Sequence, residues 1–269
     1  MYICSVKKKV LYIIIFVNLW MITGCSNFQK LLKSNDYNFV YNEALKYYDK
    51  KDYFRAQSLF ENLENVFKAT DKADKILYYL ANCYYYQHDY MMASYYFKNV
   101  GNRYPLSTYR EESDYMSAYC AYLEAPDYNL DQTTTYLAID EMQNFINRYP
   151  KSSKIPECNK IIDKLRENLE TKDFESAKLY YKTRDYKAAV VALKNTLTDF
   201  PDTPYREETM FLILKSAFLY AQNSITAKKK ERMTDVLDYY YSFSGEYPNS
   251  TYINEAKKIF NQASSIINN

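Results

Sequence analysis

Four aromatic–proline pairs, Tyr104-Pro105, Tyr149-Pro150, Phe200-Pro201 and Tyr247-Pro248, recur along the chain and constrain it in the same way each time. Proline has no N–H to give a helical carbonyl and disfavours helix at the residue before it, so a helix must stop at each pair. Twelve residues before each proline stands Ala93, Ala138, Ala189 or Val236. A side chain of that size lets a second helix approach closely. Two residues after each proline is a hydroxyl, Ser107, Ser152, Thr203 or Ser250, read here as the cap of the next helix, with Glu112, Glu157, Glu207 and Glu255 in or near its first turn.

The clearest unit runs from Tyr78 to Pro105, with Ala81, Tyr84, Tyr90, Ala93 and Phe97 at fixed places in it. Stepping back 37 residues finds Ala44, Tyr47, Tyr53, Ala56 and Phe60, and stepping forward 37 finds Ala118 and Ala121. Ala81 and Ala93 lie on either side of a turn at Gln87–Asp89, where two antiparallel helices cross. This order of small, aromatic and proline positions resembles the tetratricopeptide repeat (TPR). The expected fold is all-α: a TPR α-solenoid of five helix–turn–helix units, about 37–70, 74–106, 109–150, 152–201 and 205–248, closed by a capping helix at 252–267. One such unit cannot bury its apolar face alone, so the units are expected to stack. Within the fourth, a long helix is expected from about Ser153 to Arg184.

Residues 1–24 are of another kind. Lys7, Lys8 and Lys9 precede an apolar run from Val10 to Ile22 that is short for a membrane span and reads as an export signal. It ends Ile22-Thr23-Gly24-Cys25, which resembles the bacterial lipobox. That resemblance implies acylation of Cys25, which becomes the first residue of the mature chain, and a stable lipid anchor. Ser26 rather than aspartate follows, which by the lipoprotein sorting rule favours the outer membrane, with the protein on its periplasmic face. Residues 25–36 are read as the lipidated N-terminus and a linker.

Composition narrows the chemistry. Taking the three leader lysines from a formal charge of +2 leaves −1, a balance that argues against nucleic acid as a partner. Three glycines in 269 residues leave little material for strands, hairpins or phosphate loops. Cys83, Cys120 and Cys158 remain in the mature chain, an odd number without a C-x-x-C pair, and are read as small buried hydrophobes. His88, the only histidine, falls at a helix–helix turn. There is no GxSxG, HExxH or P-loop pattern, so the chain is read as non-enzymatic, without metal or cofactor.

Binding is the remaining class. In a TPR stack the first helix of each unit lines one face. Three residues before Ala44, Ala81 and Ala118 stand Tyr41, Tyr78 and Tyr115; four after stand Tyr48, Tyr85 and Tyr122; between them lie Leu45, Asn82 and Tyr119. Two ladders of tyrosine with an amide between them would suit an extended peptide with aromatic side chains. The same rings could instead pack between neighbouring repeats, and the spacing leaves both readings open.

The middle of the chain carries a more specific likeness. An insert from Glu124 to Thr133 widens the turn of the third unit, and the run DQTTTYLAIDEMQNFINRYPKSSKIPECNKIIDKLRENLETKDFESAKLYY, residues 131–181, resembles the BamD family, lipoproteins of the outer-membrane β-barrel assembly machinery. The resemblance implies a non-catalytic role, with a BamA-type outer-membrane barrel protein as partner of the C-terminal units. It also implies unfolded outer-membrane proteins as clients of the N-terminal units. A TPR scaffold of the Tol–Pal or cell-envelope system is the alternative. The polar stretch 223–232 holds Lys228, Lys229, Lys230 and Arg232, which fits either a solvated helix face or a docking surface for an acidic partner.

Overall fold

A computed structural model describes residues 27–268; the leader and Cys25 lie outside the described residues. Residues 27–32 are helical, followed by α1 (Tyr37–Asp49), α2 (Tyr53–Val66), α3 (Ala73–Tyr86), α4 (Tyr90–Arg103), α5 (Arg110–Leu123), α6 (Thr133–Arg148), α7 (Ile155–Lys182), α8 (Tyr186–Asp199), α9 (Arg206–Gln222), α10 (Thr226–Glu246) and α11 (Ile253–Asn268). No strand occurs among the described residues. The helices form two compact units, one running to Ala125 and resuming at Thr133–Ile162, the other comprising Pro126–Gln132 and the chain from Asp163 onward. In the first, α1 to α6 each pack on the next helix in sequence; in the second, α8 to α11 do the same. Packing of each helix on its sequence neighbours is the TPR-type, α-solenoid arrangement.

Helix ends follow the prolines. Tyr104, Phe200 and Tyr247, each before a proline, take extended φ values of −128°, −131° and −125° and close α4, α8 and α10. Three of the second helices, α2, α4 and α8, begin on aspartate. Asp52, Asp89 and Asp185 accept the backbone N–H of Arg55, Met92 and Ala188, as Asp36 does for Phe39 at the start of α1. Such a cap contributes about 1 kcal/mol. Before three of these aspartates, Lys51, His88 and Arg184 hold positive φ of 61°, 63° and 67°, the left-handed residue that reverses the chain between paired helices.

The hydroxyls after the prolines act one step earlier than expected. Ser107, Ser152, Thr203 and Ser250 accept the N–H two residues on, at 3.1, 3.3, 3.3 and 2.9 Å, and their carbonyls accept the N–H three residues on. They close the turn that feeds the helix. The N-cap position itself, at α3, α5 and α9, belongs to Lys72, Tyr109 and Tyr205, which have no short side-chain acceptor to make a cap bond and lie instead on a ring of the preceding repeat. Tyr109 stacks on Tyr78 at 4.5 Å, Tyr205 on Phe174 at 4.5 Å and Tyr252 on Phe211 at 4.4 Å. The Lys72 and Lys154 ammonium groups sit over Tyr41 and Tyr115 at 5.1 and 4.2 Å.

Where the paired helices cross, Ala44, Ala56, Ala81, Ala93, Ala118, Ala138, Ala189 and Val236 are all fully buried. Phe60 and Phe97 fill the space beside them. Asp114 ties α5 to the end of α6 by accepting from Arg148 at 2.6 Å and from the Tyr149 hydroxyl at 2.7 Å. Gly101 leaves room for that carboxylate: a Cβ there would stand 2.5 Å from Asp114 Oδ1. Residues 27–32, read from sequence as linker, are instead packed on the first repeat, with Leu31 buried and the Phe28 ring edge-on to Tyr47 at 5.7 Å.

Truncating a fully buried ring leaves a cavity, so Phe97→Ala should lower unfolding stability by about 3–5 kcal/mol. Leu106→Ala, at a side chain 96% exposed, should change it by less than about 0.5 kcal/mol. Urea denaturation of both variants checks the pair.

Candidate functional site

The tyrosine positions on α1, α3 and α5 divide once they are placed. Tyr41 and Tyr115 are 7% and 5% exposed, each beneath the lysine from the next repeat, and Tyr78 is half-buried under Tyr109. The ladder three residues before the alanine is therefore chiefly packing between repeats. Asn82 is 7% exposed and its Nδ2 donates to the Tyr78 carbonyl at 2.7 Å, so the amide is turned toward its own helix.

Tyr48, Tyr85, Tyr119 and Tyr122 remain half-buried and reach the surface. Their rings form a connected series. Tyr48 meets Tyr53 at 5.5 Å and Tyr86 at 6.3 Å; Tyr86 meets Tyr85 at 5.3 Å; Tyr85 meets Tyr119 at 6.5 Å; Tyr119 meets Tyr122 at 5.7 Å. Tyr53 and Tyr86 stack at 4.5 Å and Tyr90 joins Tyr85 at 5.8 Å. The spacing rule did not select Tyr53, Tyr86 or Tyr90. A signal for two of them was present in the chain: the Asp-Tyr pairs at 52–53 and 89–90 put the cap on aspartate and a ring at the first position of the second helix.

The Tyr48, Tyr85 and Tyr119 phenols are held in the neutral form. Burial holds the Tyr48, Tyr85 and Tyr119 hydroxyls above their ordinary pKa, and neighbouring phenols add to the effect. The surface thus offers ring faces and edges with hydroxyls that can donate or accept, and no charge of its own.

Other candidate groups carry no chemistry in this arrangement. Cys83, Cys120 and Cys158 are free and fully buried, and burial pushes the thiols up, that of Cys120 to about 12. His88 is exposed and its Nδ1 lies 2.6 Å from the Tyr90 hydroxyl. Among the described residues no group of three or more His, Cys, Asp or Glu could hold a metal ion. The basic stretch forms the first turns of α10. Lys228 pairs with Glu231 at 2.7 Å, Arg232 lies over Tyr220 at 4.1 Å and donates to the Ser224 hydroxyl, and Lys230 is exposed.

Helices that each pack on the next in sequence, with tyrosines on their exposed faces, define a TPR-type repeat scaffold. The chain belongs to the YfiO family of outer membrane lipoproteins, whose profile matches residues 33–234, and the family is non-enzymatic and associated with the outer membrane. The outer membrane protein assembly factor BamD of Rickettsia prowazekii (strain Madrid E) is 22% identical over 138 residues, 51% of this chain and 51% of that protein. The chain thus spans about half the length of this curated relative in the match. Among solved structures, the TPR domain of P58(IPK) is similar over 89% of this chain and 68% of its own, at 11% identity and a TM-score of 0.41. The TPR2AB domain of yeast Sti1 is similar over 85% of this chain and 98% of its own, at 13% identity and a TM-score of 0.38. Among the described residues no helix is long and apolar enough to cross a membrane.

Tyrosines that are hard to ionise make stability depend on alkaline pH with a definite sign. The folded state holds the phenol proton more tightly than the unfolded chain, so the contribution is complete below the ordinary phenol value of about 10 and is lost as pH rises through the folded value. For Tyr149, burial and the bond to Asp114 raise that value to about 12. Urea midpoints are expected to fall steeply between these two values, and Tyr149→Phe to flatten part of the fall.

Proposed function

We propose that this protein is a non-catalytic assembly scaffold held at the outer membrane by acyl chains on Cys25. In this reading it faces the periplasm, receives unfolded outer-membrane proteins on its N-terminal repeats and docks a BamA-type barrel protein through its C-terminal repeats. Family membership and the named function of the Rickettsia relative support the assembly role. The observation that carries client binding is the connected series of tyrosine rings from Tyr48 to Tyr122 across α1, α3 and α5, with Tyr53 of α2 beside it. An unfolded β-barrel protein offers extended backbone and aromatic side chains before it has a sheet to join. Rings with hydroxyls satisfy both at low entropic cost, since tyrosine has few rotatable bonds to freeze. Asn82, Tyr41 and Tyr115 then act as support for this surface rather than as contacts. The Lys228–Arg232 stretch offers Lys229 and Lys230 to an acidic partner surface, while Lys228 and Arg232 are engaged within the chain.

Tyr85→Leu combined with Tyr119→Leu keeps apolar volume and removes two rings from the centre of the series. At roughly 0.5–1.5 kcal/mol per aromatic contact, affinity for an aromatic-ended peptide from a β-barrel protein should fall about tenfold. The thermal midpoint should fall modestly, because both rings also pack within the chain, while unfolding stays cooperative. Calorimetric titration checks the first and thermal unfolding the second; unchanged affinity would remove the client surface from α1, α3 and α5.

A further inference from the structure

The outer end of the first repeat lies only a few residues from Cys25 along the chain. From Cys25 to Phe28 there are three residues, which reach at most about 10 Å when fully extended. Phe28 is not on a free tether: its ring is edge-on to Tyr47 at 5.7 Å, the Arg55 guanidinium lies 5.7 Å from both rings, and Leu31 is part of the core. An acyl chain enters the bilayer at the headgroup boundary, so this end of the repeat must lie within about 10 Å of it whenever the anchor is inserted.

What the end presents suits that place. Lys30 and Lys33 are exposed, and neither stands in an ion pair among the described residues. Phe39 and Tyr37 are 51% and 41% exposed. An open cavity of about 330 Å³ is lined by Lys30, Leu31, Ser34, Phe39, Glu43 and Tyr47, beside Asn27. The neighbouring carboxylates are engaged within the chain: Glu43 pairs with Lys46 at 2.6 Å and Asp36 accepts the Phe39 N–H at 3.0 Å. Lysines meet lipid phosphates and aromatic rings settle at headgroup level.

We propose that this end of the first repeat is a membrane-apposed face, with Phe39 at the headgroup boundary of an anionic phospholipid bilayer and Lys30 and Lys33 on its phosphates. The inference rests on acylation of Cys25 and goes beyond the assembly role: it fixes which part of the scaffold touches lipid. Short attachment would hold the first repeat against the bilayer instead of letting it swing.

The chain's single tryptophan, Trp20, lies in the leader, so Phe39→Trp gives the mature protein one indole. The full-length lipidated protein carrying Phe39→Trp is reconstituted into phosphatidylethanolamine–phosphatidylglycerol vesicles with brominated acyl chains, floated, and its indole quenching measured. Tyr136→Trp, on α6 in the same unit and 58% exposed, is the comparison. Quenching at position 39 should be about twofold or more that at position 136, and Lys30→Glu with Lys33→Glu should lower it toward the position-136 level while the protein still floats. Equal quenching at the two positions in floated protein would overturn the apposition alone. Quenching that survives the lysine changes would overturn the headgroup contacts. If the protein does not float, or floats equally well as Cys25→Ala, both the anchor and the apposition fall.

Discussion

One residue at the start of a repeat lies on one aromatic ring of the repeat before it, and the packing of the structure turns on that contact. Tyr109 covers Tyr78, Lys154 covers Tyr115, Tyr205 covers Phe174 and Tyr252 covers Phe211, with Lys72 over Tyr41 at the first junction. Each such pair contributes about 0.5–1.5 kcal/mol beyond its buried area. Its larger effect is on register. The covering residue occupies the N-cap position, so the hydroxyl that follows each proline is displaced into the preceding turn, and the spacing from proline to helix start is the same at every junction where it occurs.

That contact also decides which tyrosines are fully covered. A ring beneath the next repeat cannot meet a client, which accounts for the burial of Tyr41 and Tyr115. Seven residues further along the same helices, Tyr48, Tyr85 and Tyr122 lie half-buried: Tyr48 meets Tyr79 and Tyr86 of the next repeat edge-on, Tyr85 meets Tyr119 of the next repeat, and Tyr122 meets Tyr119. The tyrosines of one helix face are thus buried to different depths, Tyr41 and Tyr115 fully and Tyr48, Tyr85 and Tyr122 in part. At the outer end of the first repeat, the helix at residues 27–32 packs on it through Phe28 and Leu31.

Much of the fold was legible because its determinants are local and repeated. Proline after an aromatic residue stops α4, α6, α8 and α10 within a residue of the expected place, and the alanines twelve residues earlier are buried at helix crossings. Capping was read less well. Asp36, Asp52, Asp89 and Asp185 each precede a tyrosine and cap a helix, a pattern visible in the chain, while the serines and threonines drew attention through their fixed place two residues after each proline. Periodicity also could not separate the two tyrosine ladders, since both lie on the same helical face. Only the residue arriving from the next repeat, about 31–39 positions away in sequence, tells them apart. The packing of residues 27–32 was missed for a similar reason: a helix of six residues has no period to detect, and its Phe28 and Leu31 acquire meaning only against Tyr47 and the first-repeat core.

The measurement that bears most directly on the assembly role is the company the protein keeps in its own membrane. A C-terminally tagged full chain, extracted with mild detergent and purified, should bring down a BamA-type outer-membrane barrel protein in near-stoichiometric yield when its partners are identified by mass spectrometry. Recovery of Tol or peptidoglycan-associated proteins without any barrel would contradict the account, and would leave a repeat scaffold with a different task.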